Sequence, residues 1–287
     1  MAALFCAWTS SVLTKNVIES GSFKARDKGW RGGEECRDLV SENFARTYAQ
    51  PPKLLFGLSL IDAERDRNRC LGLEFPVVKT DRFTLQASSW LGTRGHDIGC
   101  SWMTLPSDLH LETGMVDTFS TKEKDSERIR REIYFSQSFK SRPKVCVWLQ
   151  LFEWTGDNYM SIKCTAEDIE SDKFVLQVES WAGRTFANVK VQYLAYPAEE
   201  DGKRVKASTL KITRGMRPVD EDAPFIGEPF KTDPAAFIAI CETDFGRSKN
   251  TRFRANATAS RTSLKYSCGT WDDTDMDHAC IQWIAIA

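Results

Sequence analysis

This chain repeats itself, and the repeat constrains its fold more tightly than anything else in the sequence. A tryptophan is followed twelve residues later by a second aromatic at Trp90–Trp102, Trp181–Tyr193 and Trp271–Trp283. Upstream of each pair a proline opens an apolar run: PKLLFGLSLID from Pro52, PKVCVWLQLFE from Pro143 and PAAFIAICETD from Pro234. Ten residues after each proline stands an acid, Asp62, Glu153 or Asp244, and seven before each leading tryptophan stands Phe83, Phe174 or Leu264. The prolines are spaced 91 and 91 residues apart and the leading tryptophans 91 and 90. Agreement at this many separate positions identifies three copies of one unit of about 90 residues, the size of a small antiparallel sandwich.

Within each unit the pattern predicts short strands separated by turns. A strand follows the proline, then a polar loop (AERDRN, WTGDN, FGRSKN) and a second strand such as CLGLEFPVV or MSIKCTAED. A short turn (KTD, ESD, SRT) leads to a strand ending at the tryptophan, and a loop leads to the closing strand. Strands at this spacing are the signature of an all-β sandwich or barrel. The one stretch with a helical reading is KEKDSERIRREIYF at 122–135, which fits a helical turn or a charged loop. The expected organisation is a leader at 1–18, then units at 19–104, 111–197 and 211–287, joined where proline and charge displace the alternation, near 103–111 and 197–211. Joins of this length, at roughly 3.3–3.6 Å per residue, are long enough to connect neighbours around a compact trimer. One chain is therefore expected to fold its units into a pseudo-threefold monomer.

Composition excludes several classes. Thirty-nine basic against forty acidic residues leave a formal charge of −1, so no bulk field favours nucleic acid as a partner. No stretch approaches the ~20 apolar residues of a membrane helix, and no insertion into a membrane is expected. The start, MAALFCAWTSSVLTK, has neither a basic n-region nor a small-residue cleavage site. The expectation is a cytoplasmic protein, or one exported without a signal peptide. The nine cysteines contain no CxxC pair, which argues for free thiols in a reducing compartment. Asn256-Ala-Thr258 is a glycosylation acceptor pattern that matters only in a secreted chain.

The fixed spacing of proline, acid and the two aromatics, together with the opening segments ESGSFKARDKGW and LETGMVDT, resembles the H-type lectin domain. This is the family of the snail agglutinin specific for N-acetylgalactosamine and of the sugar-binding C-terminal domain of discoidins. The resemblance covers roughly 19–102, 111–195 and 211–287. It implies three tandem six-stranded antiparallel β-sandwiches that assemble in threes and bind glycans with terminal galactose or N-acetylgalactosamine near subunit boundaries, in the multivalent manner of adhesion or defence lectins. No cofactor is implied.

The resemblance also assigns candidate sugar ligands. Trp90, Trp181 and Trp271 match the sugar-adjacent aromatic, although a core role is the alternative for a tryptophan in a sandwich; Trp102, Tyr193 and Trp283, inside strands, read as core. The family places an arginine twenty residues before the tryptophan, where this chain has Cys70, Ser161 and Thr251. Arg69 and Arg252 are each one residue away, and a one-residue slip turns a side chain to the opposite face unless a bulge or a loop difference re-aims it. Unit 2 offers only Lys163. The family's loop carboxylate is approximated by Asp125 in unit 2, by Glu34 or Glu35 in unit 1 and by Asp220 or Asp222 in unit 3. Asp272 and Asp273 stand ready to bond hydroxyls, and His96 falls where the family has an aromatic ligand contact. On this reading unit 3 binds best, unit 1 next and unit 2 least.

Sharper chemistries find less support. Asp273, Asp275 and Asp277 have the first spacings of a calcium loop, but His278 stands where glycine is required and no glutamate closes the loop. His96, His110 and His278 lie in separate segments, with no GxSxG, HExxH or P-loop. The expectation is a non-catalytic lectin. The rival from another class is a structural or protein-interaction array whose sugar sites have decayed; a glycan-processing enzyme ranks third.

Overall fold

The computed structural model describes residues 17–33, 35–64, 68–119, 127–154, 159–181, 185–213, 219–246 and 249–287. Each unit contributes six strands: β1 (Ser20–Lys24), β2 (Cys36–Asn43), β3 (Leu54–Ala63), β4 (Arg69–Val78), β5 (Arg82–Ser89) and β6 (Gly95–Thr104) in unit 1. Unit 2 has β7 (Glu112–Asp117), β8 (Arg128–Tyr134), β9 (Lys144–Trp154), β10 (Met160–Glu167), β11 (Lys173–Glu179) and β12 (Asn188–Tyr196). Unit 3 has β13 (Val205–Thr213), β14 (Val219–Pro224), β15 (Ala235–Phe245), β16 (Thr251–Ala259), β17 (Ser263–Gly269) and β18 (Met276–Ile286). The chain is all-β, as expected, with two short 3-10 segments at Ala25–Lys28 and Ala198–Glu200.

The strands do not close into sheets within a unit. Each unit splits into two three-stranded halves, and each half continues into a half of a neighbour. The three six-stranded sheets run β1-β6-β3-β16-β17-β14, β13-β18-β15-β10-β11-β8 and β2-β5-β4-β9-β12-β7. Three equivalent antiparallel seams join the units: β4 on β9, β10 on β15 and β16 on β3. Unit 1 meets unit 2, unit 2 meets unit 3, and unit 3 returns to unit 1, so the pairing is cyclic.

This ring explains why the proline-led runs are almost continuously apolar instead of alternating. β3, β9 and β15 pack on one another at the centre and are covered on both faces, which removes the polar face of an ordinary antiparallel strand. At the axis the equivalent positions are Gly57, Trp148 and Ala239. A Cβ on Gly57 would lie 2.5 Å from Trp148 Cδ1 and 2.7 Å from the Cβ of Ala239, so one large side chain fills a space that its two small counterparts leave. The indole Nε1 of Trp148 donates to the Phe56 carbonyl at 2.8 Å, and Gln192 Oε1 accepts from Phe56 N at 2.9 Å. Backbone groups of β3 beyond the reach of the seam are thereby satisfied by side chains of unit 2.

Inside each unit the two halves meet over aromatics: Phe83 on Trp102 at 5.2 Å, Phe174 on Tyr193 at 5.1 Å, and Phe225 on Trp283 at 5.8 Å. Trp102 and Tyr193 are buried, as expected, whereas Trp283 is half-buried against the core. The eight described cysteines are unpaired, and burial pushes the thiols of Cys70, Cys146, Cys268 and Cys280 up to about 12.

Two local expectations change. In the stretch with a helical reading, Arg128–Tyr134 is the strand β8, because seven residues pair with β11; the spacing of Ile129 and Ile133 suits either structure and tertiary pairing decides. The supposed linker at 197–211 contains the start of β13 at Val205, whose nine pairs with β18 make it the first strand of unit 3.

Candidate functional site

The leading tryptophans stand half-buried at the ends of β5, β11 and β17, where the chain leaves the sheet. For the first two, the partner comes from the next unit. Trp90 Nε1 donates to Glu153 Oε2 at 3.2 Å, and Trp181 Nε1 donates to Asp244 Oδ2 at 3.1 Å. Both acids lie just beyond a register shift in β9 and β15, and Asp62 lies beyond the same shift in β3. A bulge re-aims the side chains that follow it. In each unit the acid that follows it lies beside the seam.

The two arginines settle by register. Arg254 pairs with Gly269 in the way that Lys163 pairs with Glu179 and Gly72 with Ser88, and these three partners each stand two residues before their tryptophan. Arg254 precedes Trp271 by 17 residues, while Lys163 and Gly72 precede theirs by 18, so the hairpin of unit 3 is one residue shorter. Arg252 thereby occupies the place of Ser161 and Cys70. It stands opposite Asp62, as they stand opposite Asp244 and Glu153. Its Nε donates to Asp62 Oδ1 at 3.1 Å, and its Nη1 reaches Asp273 Oδ1 at 3.1 Å and Asp272 Oδ2 at 3.3 Å. Arg254 lies over the Trp271 ring at 5.8 Å. Arg252 thus joins Asp272 and Asp273, which follow Trp271 in the chain, to Asp62 of unit 1.

Arg69 keeps the opposite parity and goes elsewhere. It is fully buried, and its Nε donates to Thr251 Oγ1 at 2.6 Å and its Nη2 to the Gly246 carbonyl at 3.4 Å. Arg69 lies opposite Trp154 of unit 2 and reaches into unit 3, so it binds three units together and does not join Trp90. His96 pairs with Glu64 of its own unit at 3.4 Å, beside Arg94. Asp125 lies outside the described residues. The carboxylates of the supposed calcium loop diverge, Asp273 toward Arg252 and Asp275 against Gly246.

Each seam has its own chemistry. Between units 1 and 2 the pair Trp90–Glu153 is followed by Leu91, exposed and at φ 53, a left-handed conformation costly for leucine. Asn68 Nδ2 holds the Leu91 carbonyl at 2.6 Å. Asp272 takes the same conformation between units 3 and 1 (φ 52), where an aspartate is better tolerated. Between units 2 and 3 the Trp181 ring stacks on His278 of unit 3 at 5.8 Å and 12°, and His278 Nε2 bonds Glu242 Oε1 at 2.5 Å. Across from Asp62, Asp97 holds the position of His278, and burial pushes its carboxyl up.

Asp62, Glu153 and Asp244 stand out in the sequence only as markers of the repeat, yet they line the seams. Glu242 and His278 were not anticipated as neighbours of Trp181. The visible signal was Glu242 itself, a charge inside an apolar run where the other units have Leu60 and Leu151.

A family model, the H-type lectin domain, matches residues 40–104, 130–196 and 225–286. The chain belongs to the H-type lectin family. Its units are lectin domains, a carbohydrate-binding class that is generally non-catalytic. Among solved structures the chain is similar to the native recombinant discoidin II of Dictyostelium discoideum, at 13% identity over 55% of this chain and 82% of that one, with a TM-score of 0.29. No curated protein sequence matches it. As an H-type lectin, the chain carries its tryptophan–acid pairs across unit boundaries.

Proposed function

We propose that this lectin binds galactose- and N-acetylgalactosamine-type glycans at its three seams, without catalysis, as one compact chain. The observation that carries the reading is the composite seam, a half-exposed indole from one unit beside a carboxylate from the next. A pyranose presents a C–H patch that an indole face covers, and hydroxyls that carboxylates and a guanidinium bond. The seam between units 3 and 1 is the most complete, with Trp271, Arg252, Asp62, Asp272 and Asp273. Several weak sites on one molecule gain avidity on a glycosylated surface. The buried, unpaired thiols favour residence in a reducing compartment, or export that bypasses the signal-peptide route.

The test is a glycan array probed with the full chain and with Trp271→Ala and Asp62→Asn. Galactose-type ligands should be retained by the parent and weakened by both variants, at unchanged melting temperature. A parent that retains no glycan favours the protein-interaction reading, for which exposed, strained Leu91 is the supporting observation: an apolar residue stands there where a sugar hydroxyl would need a polar one.

A further inference from the structure

We infer that the seam between units 2 and 3 is proton-gated, with the charge on His278 setting how firmly Trp181 is held for its ligand. This rests on the glycan-binding reading of the seams. Four side chains form one connected row across the boundary. Asp244 accepts from Trp181 Nε1 at 3.1 Å, the indole stacks on the His278 ring at 5.8 Å, and His278 bonds Glu242 at 2.5 Å. Unit 2 supplies only the tryptophan, and unit 3 supplies the remaining three.

Histidine is the side chain whose ordinary titration falls between pH 5 and 8. Charged and titratable groups face it from the strands around it. On β15 these are Asp244, its cross-strand partner, and Glu242. On β13 the partner is Thr213, with Lys211 one row along. On β10 Lys163 stands opposite Glu242 and within 3.8 Å of Glu179 on β11, which Arg128 of β8 also pairs. On its own strand are Asp277 and Cys280, whose thiol burial holds up at about 12. Within this set His278 is the one histidine.

The sign follows from these neighbours. When protonated, His278 forms a charge-assisted bond to Glu242 and presents a cation to the indole face. Both interactions fix the Trp181 ring, which is half-buried at the seam. On deprotonation the charge is lost, and the ring keeps its bond to Asp244 and a weaker, neutral stack. Affinity at this seam therefore falls as pH rises. The other two seams carry Asn188 and Asp97 at the equivalent position, opposite Glu153 and Asp62, and have no such gate.

The experiment is 15N-indole NMR on the full chain, with the Trp181 resonance assigned through Trp181→Phe. Without ligand, the Trp181 N–H signal should titrate between pH 5 and 8, flatten in His278→Gln, and move to a lower midpoint in Glu242→Gln, which removes the carboxylate favouring the imidazolium. With N-acetylgalactosamine, the site-resolved Kd at pH 5.5 should be about fivefold tighter than at pH 8, the size of a modest coupling free energy. A resonance that stays flat, or one that titrates unchanged in both variants, overturns the gate. A resonance that titrates normally but that no sugar shifts at either pH removes the glycan reading from this seam, and the regulation with it.

Discussion

Arg69 and Arg252 lie within one residue of the same sequence position and end on opposite faces of the fold. The sequence showed that parity would decide between them, because successive strand residues face opposite ways. What it did not show was the one-residue shortening of the hairpin after Arg252, since backward counting from the tryptophan assumes equal turns. Their substitutions should therefore separate. In unit 2 the place of Arg69 is taken by Met160, also fully buried, but Arg69 bonds Thr251 and the Gly246 carbonyl, and removing one partner of a buried bond leaves the other unsatisfied. Arg69→Met should leave glycan binding unchanged and lower the melting temperature. Arg252→Met should weaken binding between units 3 and 1 by about tenfold, as loss of a charge-assisted hydrogen bond does. Isothermal titration with N-acetylgalactosamine checks both; equal effects would return Arg69 to the site. The tryptophans divide similarly. Trp102→Ala should cost roughly 3–5 kcal/mol in denaturant unfolding, as large core truncations do, and Trp283→Ala less, because that ring is only half-buried.

The strands β3, β9 and β15 were legible as elements because their apolar runs follow a proline at fixed spacing. Their near-complete burial was visible too, but the cause was not. Nothing local says that the covering layer comes from another unit, or that β4, β10 and β16 pair across the boundary. The same limit hid the sites: Glu153 belongs with Trp90 although 63 residues separate them. β8 shows the converse, where the local pattern fitted a helical turn or a charged loop and pairing with β11 overrode both. An element-scale consequence concerns a single unit produced alone. Residues 111–197 would expose the seam edges of β9, which is long and largely apolar, and of β10, without their partners β4 and β15. Bare strand edges seek other strands. The isolated unit 2 should therefore associate into trimers or larger species in light scattering coupled to size exclusion. A monodisperse monomer with native β-structure would show that the seams are dispensable for folding.

For the whole molecule, the asymmetry at the axis matters most. Three separate identical chains would place the same residue at the axis three times. Three tryptophans would overfill it, and three glycines or alanines would leave it empty. Gly57, Trp148 and Ala239 together fill it once, and overpacked and hollow interiors are both destabilising. Tandem linkage permits this solution because it fixes which unit takes which place. The same freedom lets the seams diverge into an arginine-bearing, a histidine-bearing and a plainer version. The full chain should accordingly run as a monomer near 32.6 kDa, compact in small-angle scattering. The decisive comparison is a chain made of three copies of unit 2 in tandem. Each copy is compatible with its neighbours along the seam edges, since β10 would meet β9 in place of β15, yet all three carry Trp148. The axial indoles would then compete for a space in which even one added Cβ comes within 2.5 Å of Trp148. Such a chain should fail to close, eluting as an expanded or associated species with no cooperative melt. Substituting Gly and Ala for Trp148 in two of its copies should restore a compact monomer. Closure of the unsubstituted chain with a cooperative transition would mean that the axis tolerates what its packing forbids, and that the asymmetry is incidental to how three lectin units came to occupy one chain.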